Sequence, residues 1–246
     1  MKLLHFLRAL LIVPFAMFLT LFISLVTLFQ TLVLRRDSSS VQGLAAWWAR
    51  SICSVGGVSV SVTGTKNLDS GKPYIFAANH QSQFDILALQ GFLGMDFRWL
   101  AKKELFQVPI WGPAMRRAGY IPVDRSHGRQ ALKSIGEAAQ KISAGTSVII
   151  FPEGTRTRDG KMQDFKSGAM VLAIKSGVDI VPVAIKGTYE ILPKGKLLMN
   201  PGNVLIRIGN PIATKNYTSK DRHVLAKVLQ EKVTELLNTM TTHAVK

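Results

Sequence analysis

The feature that most constrains this 246-residue chain is an N-terminal run of 26 residues, Ala9 to Leu34, that carries no charged side chain. As an α-helix the run would be about 39 Å long, which exceeds the roughly 30 Å hydrocarbon core of a bilayer. It is also longer than the apolar segment of a cleaved signal peptide. Lys2, Arg8, Arg35 and Arg36 flank the run. The sequence therefore predicts a membrane anchor that is retained.

Small polar residues follow one face of this predicted helix, at Thr20, Ser24, Thr27 and Thr31. Such a face permits the close approach of a second helix. The segment 41–55 supplies a partner, because it is rich in glycine and alanine and carries two tryptophans suited to the headgroup layer. We therefore expect residues 1–57 to form a membrane-embedded helical hairpin. The alternative is a single tilted span followed by an amphipathic segment.

The remainder of the chain, residues 58–246, alternates between strand and helix patterns. The expected strands, rich in Ile, Val and Phe, are Val58–Val62, Tyr74–Ala78, Phe97–Ala101, Tyr120–Val123, Ser147–Phe151, Ile180–Ile185 and Val204–Ile208. The expected helices are Phe84–Phe92, Gln130–Ser143, Gly168–Lys175 and Asp221–Met240. This alternation predicts an α/β domain whose mixed sheet is covered by helices.

The charge balance indicates the kind of surface that the protein meets. Lys and Arg total 31 against 15 Asp and Glu, a net charge of +16, while 47% of residues are hydrophobic. This combination favours an anionic membrane over nucleic acid, because the basic residues are scattered without interleaved aromatic residues. The first 36 residues hold four basic and no acidic side chains, which leaves a net charge of +12 on residues 37–246. We expect that part on the cytoplasmic face of the inner membrane, where a single cysteine, Cys53, fits a reducing compartment.

A histidine and an aspartate, His80 and Asp85, lie five positions apart in the stretch AANHQSQFDIL. Five positions on a helix differ by about 140°, so the two side chains can meet only if His80 precedes the helix. Ser82 is then the expected N-cap, and Asp85 lies in the first turn. The alternative is a capping box, in which Asp85 serves only the helix end. The residues alone leave both interpretations open.

Cationic residues follow three of the expected strands. The stretch FPEGTRTR, residues 151–158, comes directly after one of them, where ligands usually bind in α/β folds. Gly154 permits close approach of the backbone, and the planar guanidinium of Arg156 suits phosphate oxygens. Lys102 and Arg125 follow two further strands. The sequence thus predicts a phosphate site, with a Glu153–Arg156 surface pair as the alternative.

Several familiar chemistries are absent from the sequence. It contains no Walker loop, no G-x-G-x-x-G and no G-x-S-x-G, and its five histidines lack metal-ligand spacing. The remaining residues suit acyl transfer from a thioester to a hydroxyl group of a phosphorylated lipid. An alcohol needs a base to take its proton, whereas a departing thiol of pKa about 8.5 needs little help from an acid. One base is therefore sufficient.

The segments AANHQSQFD, AKKEL, GYIPVDR, FPEGTRT and VPV, spread over residues 73–187, resemble the successive blocks of the glycerolipid acyltransferase family. They are most similar to those of the bacterial 1-acyl-glycerol-3-phosphate acyltransferases. The resemblance implies that His80 is the general base on the glycerol hydroxyl and that Asp85 orients its ring. It also implies a set of substrate-binding residues, namely Lys102, Arg125, Glu153, Gly154, Thr155 and Arg156. Thr157 departs from the family pattern, in which many members carry Ser.

The resemblance further implies the substrates. Acyl-CoA or an acyl-carrier protein is the expected donor, lysophosphatidic acid the acceptor and phosphatidic acid the product, with no cofactor, metal or nucleic acid. The alternatives are another acceptor, either a lysophospholipid or lyso-ornithine lipid, and a non-catalytic protein that binds anionic lipid. We expect the acyl chain in an apolar tunnel lined by Ile86, Leu89, Phe92, Phe106 and Trp111.

Overall fold

Helices and strands alternate along residues 2–124 and 129–240, which are the residues that the computed structural model describes. The strands are β1 (Val58–Thr63), β2 (Ile75–Ala78), β3 (Arg98–Lys102), β4 (Ile121–Val123), β5 (Val148–Ile150), β6 (Ile180–Lys186) and β7 (Gly202–Ile208). The helices are α1 (Lys2–Leu28), α2 (Gln42–Gly56), α3 (Phe84–Phe92), α4 (Trp111–Arg117), α5 (Arg129–Ser143), α6 (Ser167–Ser176), α7 (Thr188–Ile191) and α8 (Arg222–Asn238). All seven expected strands are confirmed.

The seven strands form one mixed sheet in the order β1-β7-β6-β2-β5-β3-β4. Neighbouring strands are parallel except β6 and β7, which pair antiparallel. The α/β fold class with a mixed sheet is therefore confirmed. Because β2, β5, β3 and β4 run in the same direction, the residues that follow these strands lie along one edge of the sheet.

Both faces of the sheet are buried, as the alternation along β2 shows. Phe76 and Ala78 join an apolar core with residues of α1, α2 and α3, whereas Ile75 and Ala77 join a second core with α5, α6 and α8. Side chains of a strand point alternately to its two faces, so a fully apolar strand requires helices on both. This explains why β2 and β5 read as continuous apolar runs.

The two N-terminal helices pack against each other. Trp48 Nε1 of α2 donates a 3.0 Å hydrogen bond to Thr20 Oγ1 of α1. Ser24, Thr27 and Thr31 are buried, so the small polar face of α1 is turned inward. The outward face carries exposed large apolar side chains, among them Leu11, Val13, Met17, Phe18, Leu21, Phe22, Leu25, Phe29 and Leu32. The embedding of these helices in a membrane stays a prediction.

The segment Leu10–Val33 is the one stretch in the described part of the chain that is long and apolar enough to cross a membrane, by length and composition. It includes a π-helical turn, Phe29–Val33, that continues α1. The short helices α4 and α7 were not expected from the sequence. Seven and four residues long, they offer too few turns for a helical period to be recognised.

Candidate active site

Asn79 fixes the point at which the chain leaves β2. Its side chain is fully buried; Oδ1 accepts a 2.7 Å hydrogen bond from the backbone N–H of Ile185, and Nδ2 donates to the Ile185 carbonyl at 2.9 Å. The amide thus continues the pairing between β2 and β6 by one residue. His80 follows directly and lies at the carboxyl edge of the sheet.

His80 and Asp85 are brought together as expected. Nδ1 of His80 donates to Oδ2 of Asp85 at 2.8 Å, with 14% of the histidine side chain and none of the aspartate side chain exposed. The same Oδ2 accepts the backbone N–H groups of Gln81, at 2.6 Å, and Ser82, at 2.8 Å. Asp85 therefore both contacts the histidine and binds free N–H groups before the helix. The alternative, in which Asp85 serves only the helix end, is therefore wrong.

The expectation that Ser82 is the N-cap of α3 is wrong. The helix begins at Phe84, and Gln83 occupies the N-cap position without a side-chain hydrogen bond. Ser82 lies one residue earlier, where its Oγ accepts the backbone N–H of Phe84 at 3.1 Å and donates to the Leu192 carbonyl at 2.7 Å. The hydroxyl therefore ties the start of α3 to the chain after α7.

Thr188 completes the environment of Asp85. Its hydroxyl Oγ1 donates to Asp85 Oδ1 at 2.5 Å, and both residues are fully buried. The preceding Gly187 has φ +99°, and a Cβ atom there would lie 2.1 Å from the carbonyl oxygen of Asn203. Glycine is therefore required for the turn that delivers Thr188. Sequence reasoning missed this residue; the Gly-Thr pair directly after the strand IVPVAIK was its only signal.

Phe151, the first residue of the FPEGTRT loop, holds the imidazole ring of His80. The two rings stack with centroids 3.8 Å apart and planes 9° apart. Trp99 stacks on Phe151 in turn, at 5.9 Å. With Nδ1 bound to Asp85 and the ring plane fixed by Phe151, Nε2 is the nitrogen that is left to accept a proton.

Glu153 is buried against the backbone of His80. Its Oε1 accepts the His80 N–H at 2.6 Å, its Oε2 accepts the Gln163 N–H at 2.8 Å, and 1% of the residue is exposed. Burial raises the pKa of Glu153 to about 7. The alternative of a Glu153–Arg156 surface pair is wrong, because both carboxylate oxygens accept backbone N–H groups inside the protein. Glu153 instead joins the FPEGTRT loop to the segment that carries His80.

Residues 154–156 of the FPEGTRT loop reach the surface, whereas Pro152 and Thr157 are buried. Gly154, at φ +76°, and Thr155 are exposed, and Arg156 is half-buried. Two lysines that the sequence did not single out lie beside this loop. Lys194 Nζ donates to Thr155 Oγ1 at 3.0 Å and to the Arg156 carbonyl at 3.2 Å. A Cβ atom at Gly154 would lie 3.2 Å from Lys166 Nζ.

Of the two cations expected after neighbouring strands, Lys102 is among the described residues and Arg125 is not. Lys102 ends β3, the neighbour of β5, and its exposed Nζ lies 3.7 Å from Glu104 Oε2. Arg125, expected after β4, lies outside the described residues. The parallel order β5-β3-β4 does bring the ends of these strands to one edge. Lys102 and the Arg156 loop therefore share the edge of the sheet that carries His80.

An apolar cavity of about 270 Å³ reaches His80. Its walls come from α1, α2, α3, β3 and α4, and the lining includes Thr20, Ile23, Thr27, Ala45, Trp48, Ile86, Trp99, Lys102, Trp111, Met115, Ala118 and Phe151. Of the expected tunnel residues, Ile86 and Trp111 line the cavity. Leu89, Phe92 and Phe106 do not line it. Leu89 and Phe106 are buried in the protein interior, and Phe92 packs beneath the guanidinium of Arg50.

The arrangement offers one base, a carboxylate that orients it, an apolar cavity and several cations. Within residues 2–124 and 129–240, no three His, Cys, Asp or Glu side chains are grouped so that they could hold a metal ion. His80 and Asp85 provide for proton transfer at Nε2 of His80, next to a space suited to a hydrocarbon chain.

Comparison with known proteins places this arrangement in a family. Residues 59–186, about half of the chain, match the family model described as Acyltransferase. The chain belongs to the acyltransferase family. The matched region runs from β1 to β6 and contains the His80–Asp85 pair and the FPEGTRT loop. The resemblance seen in the sequence is thereby confirmed.

Relatives of this acyltransferase are known in plants, animals and bacteria. A chloroplastic 1-acyl-sn-glycerol-3-phosphate acyltransferase of Arabidopsis thaliana is 38% identical over 155 residues, 62% of this chain and 43% of the plant protein. The human 1-acyl-sn-glycerol-3-phosphate acyltransferase alpha is 33% identical over 171 residues, 69% of this chain and 60% of the human protein. The chain thus spans about half the length of the plant relatives that it matches.

A solved structure matches over almost the entire chain. The crystal structure of the 1-acyl-sn-glycerophosphate acyltransferase PlsC from Thermotoga maritima is 30% identical, with a TM-score of 0.84. The match covers 98% of this chain and 99% of that protein. The likeness therefore includes the N-terminal helices as well as the sheet.

Proposed function

We propose that this acyltransferase transfers a fatty acyl group from a thioester to the free hydroxyl group of 1-acyl-glycerol-3-phosphate, giving phosphatidic acid. The observation that carries the proposal is the 2.8 Å hydrogen bond from His80 Nδ1 to Asp85 Oδ2 beside an apolar cavity. The relatives in Arabidopsis thaliana, Homo sapiens and Thermotoga maritima, all named for this acceptor, support the choice of acceptor.

In the proposed reaction His80 acts as the general base. Its Nε2 takes the proton of the glycerol hydroxyl as that oxygen attacks the carbonyl carbon of the thioester. The imidazolium that forms is stabilised by the Asp85 carboxylate, which Thr188 and two backbone N–H groups hold in place. The tetrahedral intermediate then expels the thiolate, which takes the proton from Nε2. No covalent acyl-enzyme and no cofactor or metal takes part.

The two substrates use different parts of the site. The acyl chain of the donor, acyl-CoA or an acyl-carrier protein, occupies the cavity beneath α1 and α2. The acceptor phosphate binds at the carboxyl edge of the sheet, where Lys102, Gly154 and Thr155 are exposed and Arg156 is half-buried. Guanidinium and ammonium groups are suited to phosphate oxygens. By the family resemblance Arg125 and Glu153 also serve the acceptor, Glu153 through the backbone of His80.

The hairpin of α1 and α2 is proposed to lie in the cytoplasmic leaflet of the inner membrane. Its outward face is apolar, and Thr20, Ile23, Ala45 and Trp48 on its inner side form part of the cavity wall. An acyl chain in the cavity is therefore enclosed between the membrane element and the α/β domain. A lyso-lipid can reach His80 without leaving the surface of the bilayer.

A direct assay tests this function. The full-length protein in anionic vesicles is incubated with labelled acyl donor and, separately, lysophosphatidic acid, a lysophospholipid, lyso-ornithine lipid or no acceptor. We expect labelled phosphatidic acid with the first acceptor and its loss in a folded His80→Ala variant. If product forms only with another acceptor, that acceptor is the substrate in place of lysophosphatidic acid. No product with any acceptor would favour a non-catalytic lipid-binding protein.

A further inference from the structure

The loop between α7 and β7, Pro193–Leu198, exposes two leucines side by side. Leu197 is 81% exposed, more than any other large apolar side chain among the described residues, and Leu198 is 47% exposed. Lys194 and Lys196 precede them. Adjacent exposed apolar side chains mark interaction surfaces more often than isolated ones do. We call Pro193–Leu198 the leucine loop.

The leucine loop is anchored at both ends. At its carboxyl end Met199 is buried, and a Cβ atom at Gly56, the last residue of α2, would lie 2.7 Å from Met199 Cε. Near its amino end Lys194 Nζ donates to Thr155 Oγ1 and to the Arg156 carbonyl. The loop therefore bridges the end of the N-terminal hairpin and the loop proposed to bind the acceptor phosphate.

The exposed apolar face of α1 extends to the same end of the hairpin. Trp48 bonds to Thr20, and only a short connection, residues 34–41, joins the two packed helices, so they run side by side in opposite directions. Seven residues further along α2 and seven residues back along α1, about 10.5 Å in each case, are Val55 and Val13. Both side chains are exposed. Val13, Val55 and the leucine loop thus lie at one end of the hairpin.

We propose that the leucine loop is a second membrane-contact element, separate from α1, that inserts Leu197 and Leu198 into the interface of an anionic bilayer. The proposal rests on the membrane attachment proposed for the hairpin. Lys196 meets the anionic headgroups, and Lys194 connects the inserted loop to Thr155 and Arg156. A bilayer is favoured over an acidic protein because the leucine loop is held at the end of a hairpin whose outward face is apolar.

Contact of the leucine loop with the membrane affects how the acceptor enters the site. A loop held in the headgroup layer and bonded to the Arg156 segment keeps that segment at the depth of the lyso-lipid phosphate. The acceptor then needs only lateral movement to reach the site. An acceptor dissolved in water does not depend on the loop.

A fluorescence measurement tests where the loop lies. Cysteine is introduced at Leu197 in the full-length protein and labelled with an environment-sensitive dye; the native Cys53 is buried and shielded. The matched control is cysteine at the exposed Val224 of α8, which packs on the opposite face of the sheet. With vesicles of phosphatidylglycerol and phosphatidylethanolamine, we expect a blue shift and quenching by lipid-borne nitroxides at position 197 alone.

Two results would overturn the proposal. One is a dye at position 197 that stays in water although flotation shows the protein bound to the vesicles. The other is a shift produced by an acidic carrier protein and not by vesicles, which would make the loop a protein-docking surface. Neither readout depends on turnover, so the measurement is separable from the proposed acyltransferase reaction.

An activity measurement tests the consequence. We expect the double variant Leu197→Ser/Leu198→Ser to lose about tenfold or more of its activity on acceptor presented in vesicles, from the lost burial of two leucines. Its activity on a short-chain, water-soluble acceptor should be unchanged. The variant Leu132→Ser/Val224→Ser, with two exposed residues of α5 and α8, is the matched control. Equal losses on both acceptors, or no loss on vesicles, would contradict the proposal.

Discussion

Thr188 donates its hydroxyl hydrogen to Asp85 Oδ1 at 2.5 Å across 103 residues of sequence, and neither residue is exposed to solvent. The other carboxylate oxygen, Oδ2, binds His80 Nδ1 and two backbone N–H groups. A carboxylate held at both oxygens cannot turn away from the imidazole. The position of the proposed base therefore depends on a residue that follows the neighbouring strand β6 and is distant in sequence.

Substitution of Thr188 tests this dependence. We expect Thr188→Val to lower kcat by about tenfold to a hundredfold, the usual range for a hydrogen bond to a charged group, with KM for both substrates unchanged. Thr188→Ser keeps the hydroxyl and should restore most of the rate. A thermal melt of each variant serves as the control. If serine and valine were equally impaired, Thr188 would act through packing alone.

Arg156 is expected to bind the acceptor phosphate. Arg156→Ala should raise KM for lysophosphatidic acid and leave KM for the acyl donor nearly unchanged, because the thioester binds elsewhere. Arg158, exposed and two residues further along the same loop, provides the matched control variant Arg158→Ala. Steady-state kinetics with each substrate varied in turn gives both constants. Equal increases for donor and acceptor would indicate a structural role for Arg156.

Glu153 should give the protein a characteristic pH dependence of stability. Burial raises its pKa from the ordinary 4.5 to about 7, so between these values the folded protein holds a proton that the unfolded chain releases. The contribution of Glu153 to the free energy of unfolding therefore falls as pH rises from about 4.5 through 7. We expect Tm to fall over this range more steeply in the native protein than in Glu153→Gln. Parallel Tm curves for the two proteins would show that Glu153 does not titrate there.

The side of the membrane on which α1 begins tests the hairpin. We expect a cysteine at Lys2 to resist an impermeant thiol reagent in intact cells and to react after the cells are opened, because the helices enter and leave one leaflet. A cysteine at Leu132 in the α/β domain should behave in the same way and is the control. Labelling of position 2 from outside would show that α1 spans the membrane.

Much of the fold could be predicted because local patterns reflect it. The apolar runs around Phe76 and Ile149 lie in strands buried on both faces, and α3 spans the residues 84–92 that its pattern indicated. The His80–Asp85 contact could be predicted because the two residues are only five positions apart, on a loop and on the first turn of the helix that follows it. The contacts of Thr188 and Lys194 could not be predicted, since they join segments that are distant in sequence and depend on strand order.

The wall of the cavity is a second feature that sequence patterns could not predict. The sequence suggested a tunnel within the α/β domain, whereas much of its wall comes from Thr20, Ile23 and Trp48 of the N-terminal helices. A hydrophobic pattern indicates which face of a helix is buried but not which element covers it. The packing of α1 against α2 and α4 shows which elements enclose the cavity, and the periodicity of α3 could not show this.

The central claim, that His80 is the general base, is tested most directly by the kinetics of His80→Ala in the full-length protein. Loss of a general base typically lowers the rate by about 100- to 10,000-fold. We expect kcat to fall within that range while the far-ultraviolet circular dichroism and Tm stay close to those of the native protein, since Glu153 and Thr157 still bind the backbone N–H and carbonyl of residue 80. A folded His80→Ala enzyme that turns over at a near-native rate would contradict the mechanism.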